Sequence, residues 1–290
     1  MDNSRNFLAL NLEIADIIIG LESKDMKSGF SIRDSYEPFI TTKLPKLKLT
    51  LYFNSLPKIN LDKNIFYSDT LDLYSDNGRY IFFYKEYKRL PYMTVITDRK
   101  FRELDLYYRK SFRSYKKVLP FDYPFDERLF ISLLSQRKGL LVHACGVKLD
   151  NKGYLFMGPS GAGKSTMARL LNEKKKYIIL SDDRVALRKI KDRFFIYGTP
   201  WSGREGFISN QKARLEKIFF LRHEKANIIR KASMQESVSQ LTICSFLPLW
   251  DGILIDSALK TLDNLIQEIP CFSLDFVPDR SVLELINSNL

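Results

Sequence analysis

The chain has 290 residues and a formal net charge of +12, with 45% apolar and 13% aromatic residues. That is enough for a sizeable buried core and too much for a largely disordered chain. Its apolar runs fall far short of the roughly 20 residues a bilayer-spanning helix needs, its N-terminus lacks the layout of a secretion signal, and Cys145, Cys244 and Cys271 show no metal-ligand or disulfide spacing, so the expectation is a cytoplasmic protein with no membrane partner.

Residues 1–120 read as a smaller β-rich N-terminal domain. Residues 46–53 alternate polar and apolar side chains as a half-buried strand does, and 79–84 and 92–97 are rich in β-formers. Asp76-Asn77-Gly78 supplies a turn. The run 99–117 carries eight basic residues against Glu103 and Asp105, interleaved with Tyr107, Tyr108, Phe112 and Tyr115. Such a run could bind nucleic acid or an acidic protein, but a solvated surface is the preferred reading, because charge runs are more often solvated faces.

Residues 121–290 read as an α/β domain. A helical period over 125–136 precedes strands at 140–149 and 154–157, a helix at 165–172 and a strand at 177–180. Further strands are expected at 184–190, 193–197, 216–222 and 271–276. Helices are expected from the Ser233/Glu236 capping box toward Phe246, over 258–268 behind Asp256-Ser257, and from an Asp279 cap through Ile286.

The chemistry concentrates between the strand 154–157 and the helix after it. Gly158-Pro159-Ser160-Gly161-Ala162-Gly163-Lys164-Ser165 fits G-x-x-x-x-G-K-[ST] at every fixed position, and Thr166 follows. Glycines let successive backbone N–H groups converge on one anion. Lys164 would place its charge on the β- and γ-phosphates, and Ser165 its hydroxyl on Mg²⁺. Ser181-Asp182-Asp183-Arg184 closes the next strand, bringing two carboxylates to the same end. One is expected to accept the proton of an attacking hydroxyl and one to hold metal, without the pattern saying which. Arg204 and Glu205, flanked by glycines, are candidates for transition-state neutralisation and for a further metal ligand. His223, between Arg222 and Glu224, reads as a surface residue.

Several blocks in order resemble HPr kinase/phosphorylase and its HPr-kinase-like relatives: Gly139-Leu140-Leu141-Val142-His143-Ala144, then 158–166, then Ser181-Asp182-Asp183-Arg184-Val185, Gly198-Thr199-Pro200-Trp201-Ser202-Gly203 and 215–221. The resemblance covers about 125–277. It implies a P-loop kinase domain of the phosphoenolpyruvate carboxykinase-like type, using ATP or GTP with Mg²⁺ to phosphorylate a serine or threonine hydroxyl of a protein or peptide. Asp182 and Asp183 match the acidic pair with base and metal roles, and His143 matches a His-Ala pair on the strand before the loop strand, from which it would approach the nucleotide or the acidic pair. The Glu-x-Arg-Gly block of the bifunctional enzymes has its charges reversed at Arg204-Glu205, and Thr166 replaces an acidic residue. The reversed block counts against a reverse phosphorylase activity and against HPr as acceptor, and the chain is more similar to relatives found with modified-peptide pathways. A small-molecule acceptor, or a nucleotide-dependent regulatory protein without transfer activity, stays open, as does an oligomer.

Overall fold

The computed structural model describes residues 6–24, 29–53, 59, 61, 63–86, 91–109 and 119–289. The chain is mixed α/β, with two large sheets and few helices, in two compact units. One comprises Met1–Leu129 with Leu249–Gly252, the other Phe130–Pro248 with Ile253–Leu290. No described helix is long and apolar enough to cross a membrane.

The first unit is built on an eight-stranded sheet. Its strands are β1 (Ala9–Ile14), β2 (Ile17–Ser23), β3 (Leu47–Tyr52), β4 (Lys63–Tyr67), β5 (Leu71–Asp76), β6 (Arg79–Lys85), β7 (Pro91–Asp98) and β8 (Glu103–Tyr108). They lie in the order β1-β2-β3-β8-β7-β6-β5-β4, parallel only where β3 meets β2 and β8. Alternation fixes which face is buried: Leu47, Leu49 and Leu51 are at most 3% exposed, while Lys48 between them is exposed. The β5–β6 hairpin turns on Asn77 and Gly78, both at positive φ, as a two-residue turn of this hand requires. Of the basic run, 103–108 is strand β8, with Leu104, Leu106 and Tyr108 buried; residues 110–117 lie outside the described residues. The segment Leu249–Gly252 counts with this unit, and its Asp251 accepts a short hydrogen bond from the Tyr80 hydroxyl.

The second unit carries β9 (Gly139–Leu149), β10 (Lys152–Met157), β11 (Tyr177–Ser181), β12 (Arg184–Ile190), β13 (Arg193–Tyr197), β14 (Lys212–His223), β15 (Ile228–Lys231), β16 (Ser245–Phe246) and β17 (Cys271–Phe276). The helices are α1 (Phe125–Ser135, which begins in the first unit), α2 (Lys164–Asn172), α3 (Met234–Cys244), α4 (Gly252–Glu268) and α5 (Val282–Asn287). The twelve-residue β14 pairs β13 through its first residues and β10 farther on, so β10, β9, β12, β13 and β14 form a closed circuit of pairings. Strands β10, β14 and β17 run parallel, with Met157 opposite Phe220 and Phe220 opposite Ser273. Their C-terminal ends therefore meet at one end of the sheet.

Period-two burial splits β10 between two cores. Leu155 and Met157 pack with Leu241 and Cys244 of α3 and with Ala258, Leu262 and Leu265 of α4. Tyr154 and Phe156 pack on the other face with Met167, Ala168 and Leu171 of α2 and with α5. Two helix starts differ from the expectation: α5 has Ser281 rather than Asp279 before its first residue Val282, and α4 starts early. α4 begins at Gly252, ahead of Asp256, because Leu254 already supplies a buried position four residues before Ala258; Ser257 lies inside the helix and its hydroxyl donates to the Ser135 carbonyl. At α3 the Ser233 hydroxyl accepts from the Glu236 amide at 3.1 Å, but the Glu236 carboxylate accepts from the Ser273 hydroxyl on β17, so the capping box is half-made.

Candidate functional site

The loop 158–163 leaves β10 and turns directly into α2. Gly161 and Gly163 have φ of 85° and 97°, a region closed to most L-residues by the clash of Cβ with backbone. Gly158 is needed for close packing as well: a Cβ there would stand 2.6 Å from that of Ala162. Pro159, Ser160 and Gly161 are exposed, and Ala162, Ser165 and Thr166 half-buried, so the rim of the loop is open to a ligand.

Lys164 is the exception. Its side chain is only 6% exposed, and its ammonium donates to the carbonyls of Gly158 at 2.7 Å and Pro159 at 2.9 Å. Burial pushes its pKa below the ordinary lysine value, against the opposing pull of Cys244, Asp183 and Cys145. A buried ammonium whose hydrogen-bond partners are carbonyls rather than a carboxylate is a cation poised for an anion. Sequence reasoning passed over Cys244, whose thiol lies against the Gly158 amide and is pushed up in pKa by burial; its signal is tertiary.

The acidic pair is divided. Asp183 follows β11, and its carboxylate receives the His143 Nδ1–H at 2.7 Å and the Arg184 guanidinium. β12 brings them together, since its Arg184 sits opposite His143 of β9. Desolvation raises the Asp183 pKa, but the His143 hydrogen bond and the charges of Arg184, His143 and Lys164 outweigh it, leaving the carboxyl below its ordinary value. A carboxylate accepts only, so the ring nitrogen that faces Asp183, Nδ1, carries a proton. Asp183 and Lys164 are near enough for each charge to act on the other.

Asp182 faces elsewhere. It is 2% exposed, and its two oxygens accept the backbone N–H groups of Gly203 at 2.8 Å and Glu205 at 3.0 Å. Gly203 permits the approach, because a Cβ there would come within 2.7 Å of the same carboxylate. The segment is tied down further by the Ser181 hydroxyl, which donates to the Trp201 carbonyl, and by the Trp201 ring edge-on to Phe130 at 5.2 Å. Arg204 and Glu205 are exposed at its tip, and Glu205 meets Asp182 through its amide. Among the described residues no group of three or more His, Cys, Asp or Glu converges to hold a metal. The donor set still fits Mg²⁺, which keeps waters and is bound by one or two carboxylates together with substrate phosphates.

Two expected results follow from this division. Asp182→Ala removes the acceptor of the Gly203 and Glu205 amides, at about 0.5–1.5 kcal/mol for each hydrogen bond lost. The segment 203–205 should loosen, so trypsin should cut after Arg204 faster than in the wild type; equal cleavage rates would contradict the anchoring. The second result concerns pH. Because the folded-state pKa of Asp183 is depressed, its contribution to stability is full above the unfolded value of about 3.9 and is lost as pH falls through the folded value. In acid titrations of unfolding free energy, Asp183→Asn should flatten that decline, and an unchanged slope would contradict it.

No family model matches the chain, and no curated protein matches it. Among solved structures, the HPr(Ser) kinase/phosphatase from Coxiella burnetii is similar over 51% of this chain and 95% of that one, at 10% identity and a TM-score of 0.29. A superposition that loose decides nothing about the site.

Proposed function

We propose that the protein is a Mg²⁺-dependent kinase that transfers the γ-phosphoryl group of ATP or GTP to a serine or threonine hydroxyl of a protein or peptide. On this reading the second unit is a P-loop kinase domain of the HPr-kinase-like type, and the first unit selects the acceptor. The observation that carries the reading is the buried Lys164 ammonium set in a glycine loop at the C-terminal ends of parallel strands, within electrostatic reach of the His143–Asp183 pair.

Phosphoryl transfer asks a protein mostly for positioning and charge neutralisation. The amides of 158–165 and the helix N-terminus cradle the phosphates. Lys164 exchanges its two carbonyl partners for phosphate oxygens, which relieves the buried charge. Ser165 and Asp183 would hold Mg²⁺, which would supply further charge neutralisation. The acceptor oxygen bonds to the γ-phosphorus as the bond to the β-phosphate oxygen breaks, and the hydroxyl proton passes to the His143–Asp183 pair. Asp182 holds the segment carrying Arg204 in place.

The test is incubation of purified protein with Mg²⁺, ATP or GTP and peptides encoded beside it, read by mass spectrometry. A phosphoserine or phosphothreonine that disappears with Lys164→Ala supports the reading. Nucleotide consumption that labels metabolites and no peptide would replace the peptide acceptor with a small molecule, and nucleotide binding without turnover would leave a regulatory protein.

A further inference from the structure

We infer that His223 is a nucleotide-contacting residue that donates a hydrogen bond to a phosphate held in the loop 158–163, an inference that rests on the reading of that loop as a phosphate site. The parallel register of β10 and β14 places Met157 opposite Phe220. Gly158 and the residues after it therefore lie alongside the last residues of β14, of which His223 is the final one. The approach is close. A Cβ on Gly163 would stand 2.5 Å from His223 Nε2 and 2.5 Å from Phe276 Cζ, and a Cβ on Gly158 would stand 3.3 Å from the Leu221 carbonyl oxygen. The loop thus wraps over the end of β14 with the imidazole beside the residue that opens α2.

The ring is also held. It meets Phe276 edge-on at a centroid distance of 5.0 Å, and Phe276, at the end of β17, is fully buried. His223 itself is exposed, and its Nε2 is the ring atom beside Gly163. Strand alternation separates it from its neighbour: Arg222 turns the other way and is taken up by Asp275, at 2.9 Å, and by Glu236. His223 is therefore the polar side chain that β14 presents to the loop. A neutral imidazole donating through Nε2 suffices for a phosphate oxygen, since hydrogen bonds to charged groups are the stronger kind.

The bland role for this ring is packing on Phe276, and His223→Phe keeps the packing while removing the donor; His223→Gln restores an N–H. The experiment compares Mg·ATP affinity of the wild type, His223→Phe, His223→Gln and Lys164→Ala by titration calorimetry. The expected result is about tenfold weaker binding in His223→Phe, the size of one lost hydrogen bond to a charged group, with part of it regained in His223→Gln. If His223→Phe binds like the wild type while Lys164→Ala fails, the loop stands as the phosphate site and the role of His223 falls. Gln as weak as Phe would also overturn it, because a donor would then be irrelevant. A wild type that binds no nucleotide overturns both readings.

Discussion

Lys164→Ala is expected to lower phosphoryl transfer by about 10³-fold, the usual scale for removing one preorganised charge donor, or roughly 4 kcal/mol of transition-state stabilisation. The expectation rests on where the ammonium sits. It is 6% exposed, and desolvation depresses its pKa. Its field acts through protein rather than water and needs little reorganisation as charge builds on the transferring group. The variant should fold normally, because deleting a cation that burial disfavours removes a penalty along with two hydrogen bonds to carbonyls. Loss of activity with an unchanged thermal midpoint would therefore be a chemical effect. Lys164→Arg is not expected to rescue it, since a planar five-donor fork does not replace a compact ammonium at a site closed by Gly158 and Pro159. Turnover within a few-fold of wild type in Lys164→Ala would remove the loop from the mechanism.

Asp183→Asn should lower transfer by roughly 10²–10⁴-fold, the range for a positioned acid–base group. Asp183 fixes the His143 tautomer through the 2.7 Å hydrogen bond to Nδ1, so an amide at 183 disturbs both partners. His143→Asn should fall in the same range. The double variant should be little worse than either single one, because residues that act as a unit are not additive. Independent, multiplying losses would show that the two do not act together. Asp182→Ala gives the contrast: a looser segment around Arg204, with the His143–Asp183 bond intact.

Local signals were legible in the sequence, and relations between distant segments were not. The loop 158–165 is contiguous, so its glycines, lysine and serine could be read together, and the strand before it and the helix after it lie where the hydrophobic pattern places them. The acidic pair was legible as a pair. Its division was not, because Asp182 is claimed by amides twenty-one and twenty-three residues away. His223 was hidden for the same reason: charged neighbours on both sides mark it as surface, and only the register of β14 beside β10 brings it to Gly163.

The first unit was legible only in part. β1 and β2 escaped notice because their hairpin turns on Ala15 and Asp16 at φ of 53° and 56°, with no Gly or Asn to announce positive φ. β8 was masked by the basic and aromatic residues around it, although Leu104, Leu106 and Tyr108 alternate into the core.

The most direct test of the phosphate site is a crystal structure of the protein grown with Mg²⁺ and ADP. The expected result is the β-phosphate within the loop 158–165, with the Lys164 ammonium turned from the Gly158 and Pro159 carbonyls onto its oxygens. ADP bound elsewhere, with Lys164 still on those carbonyls, would contradict it.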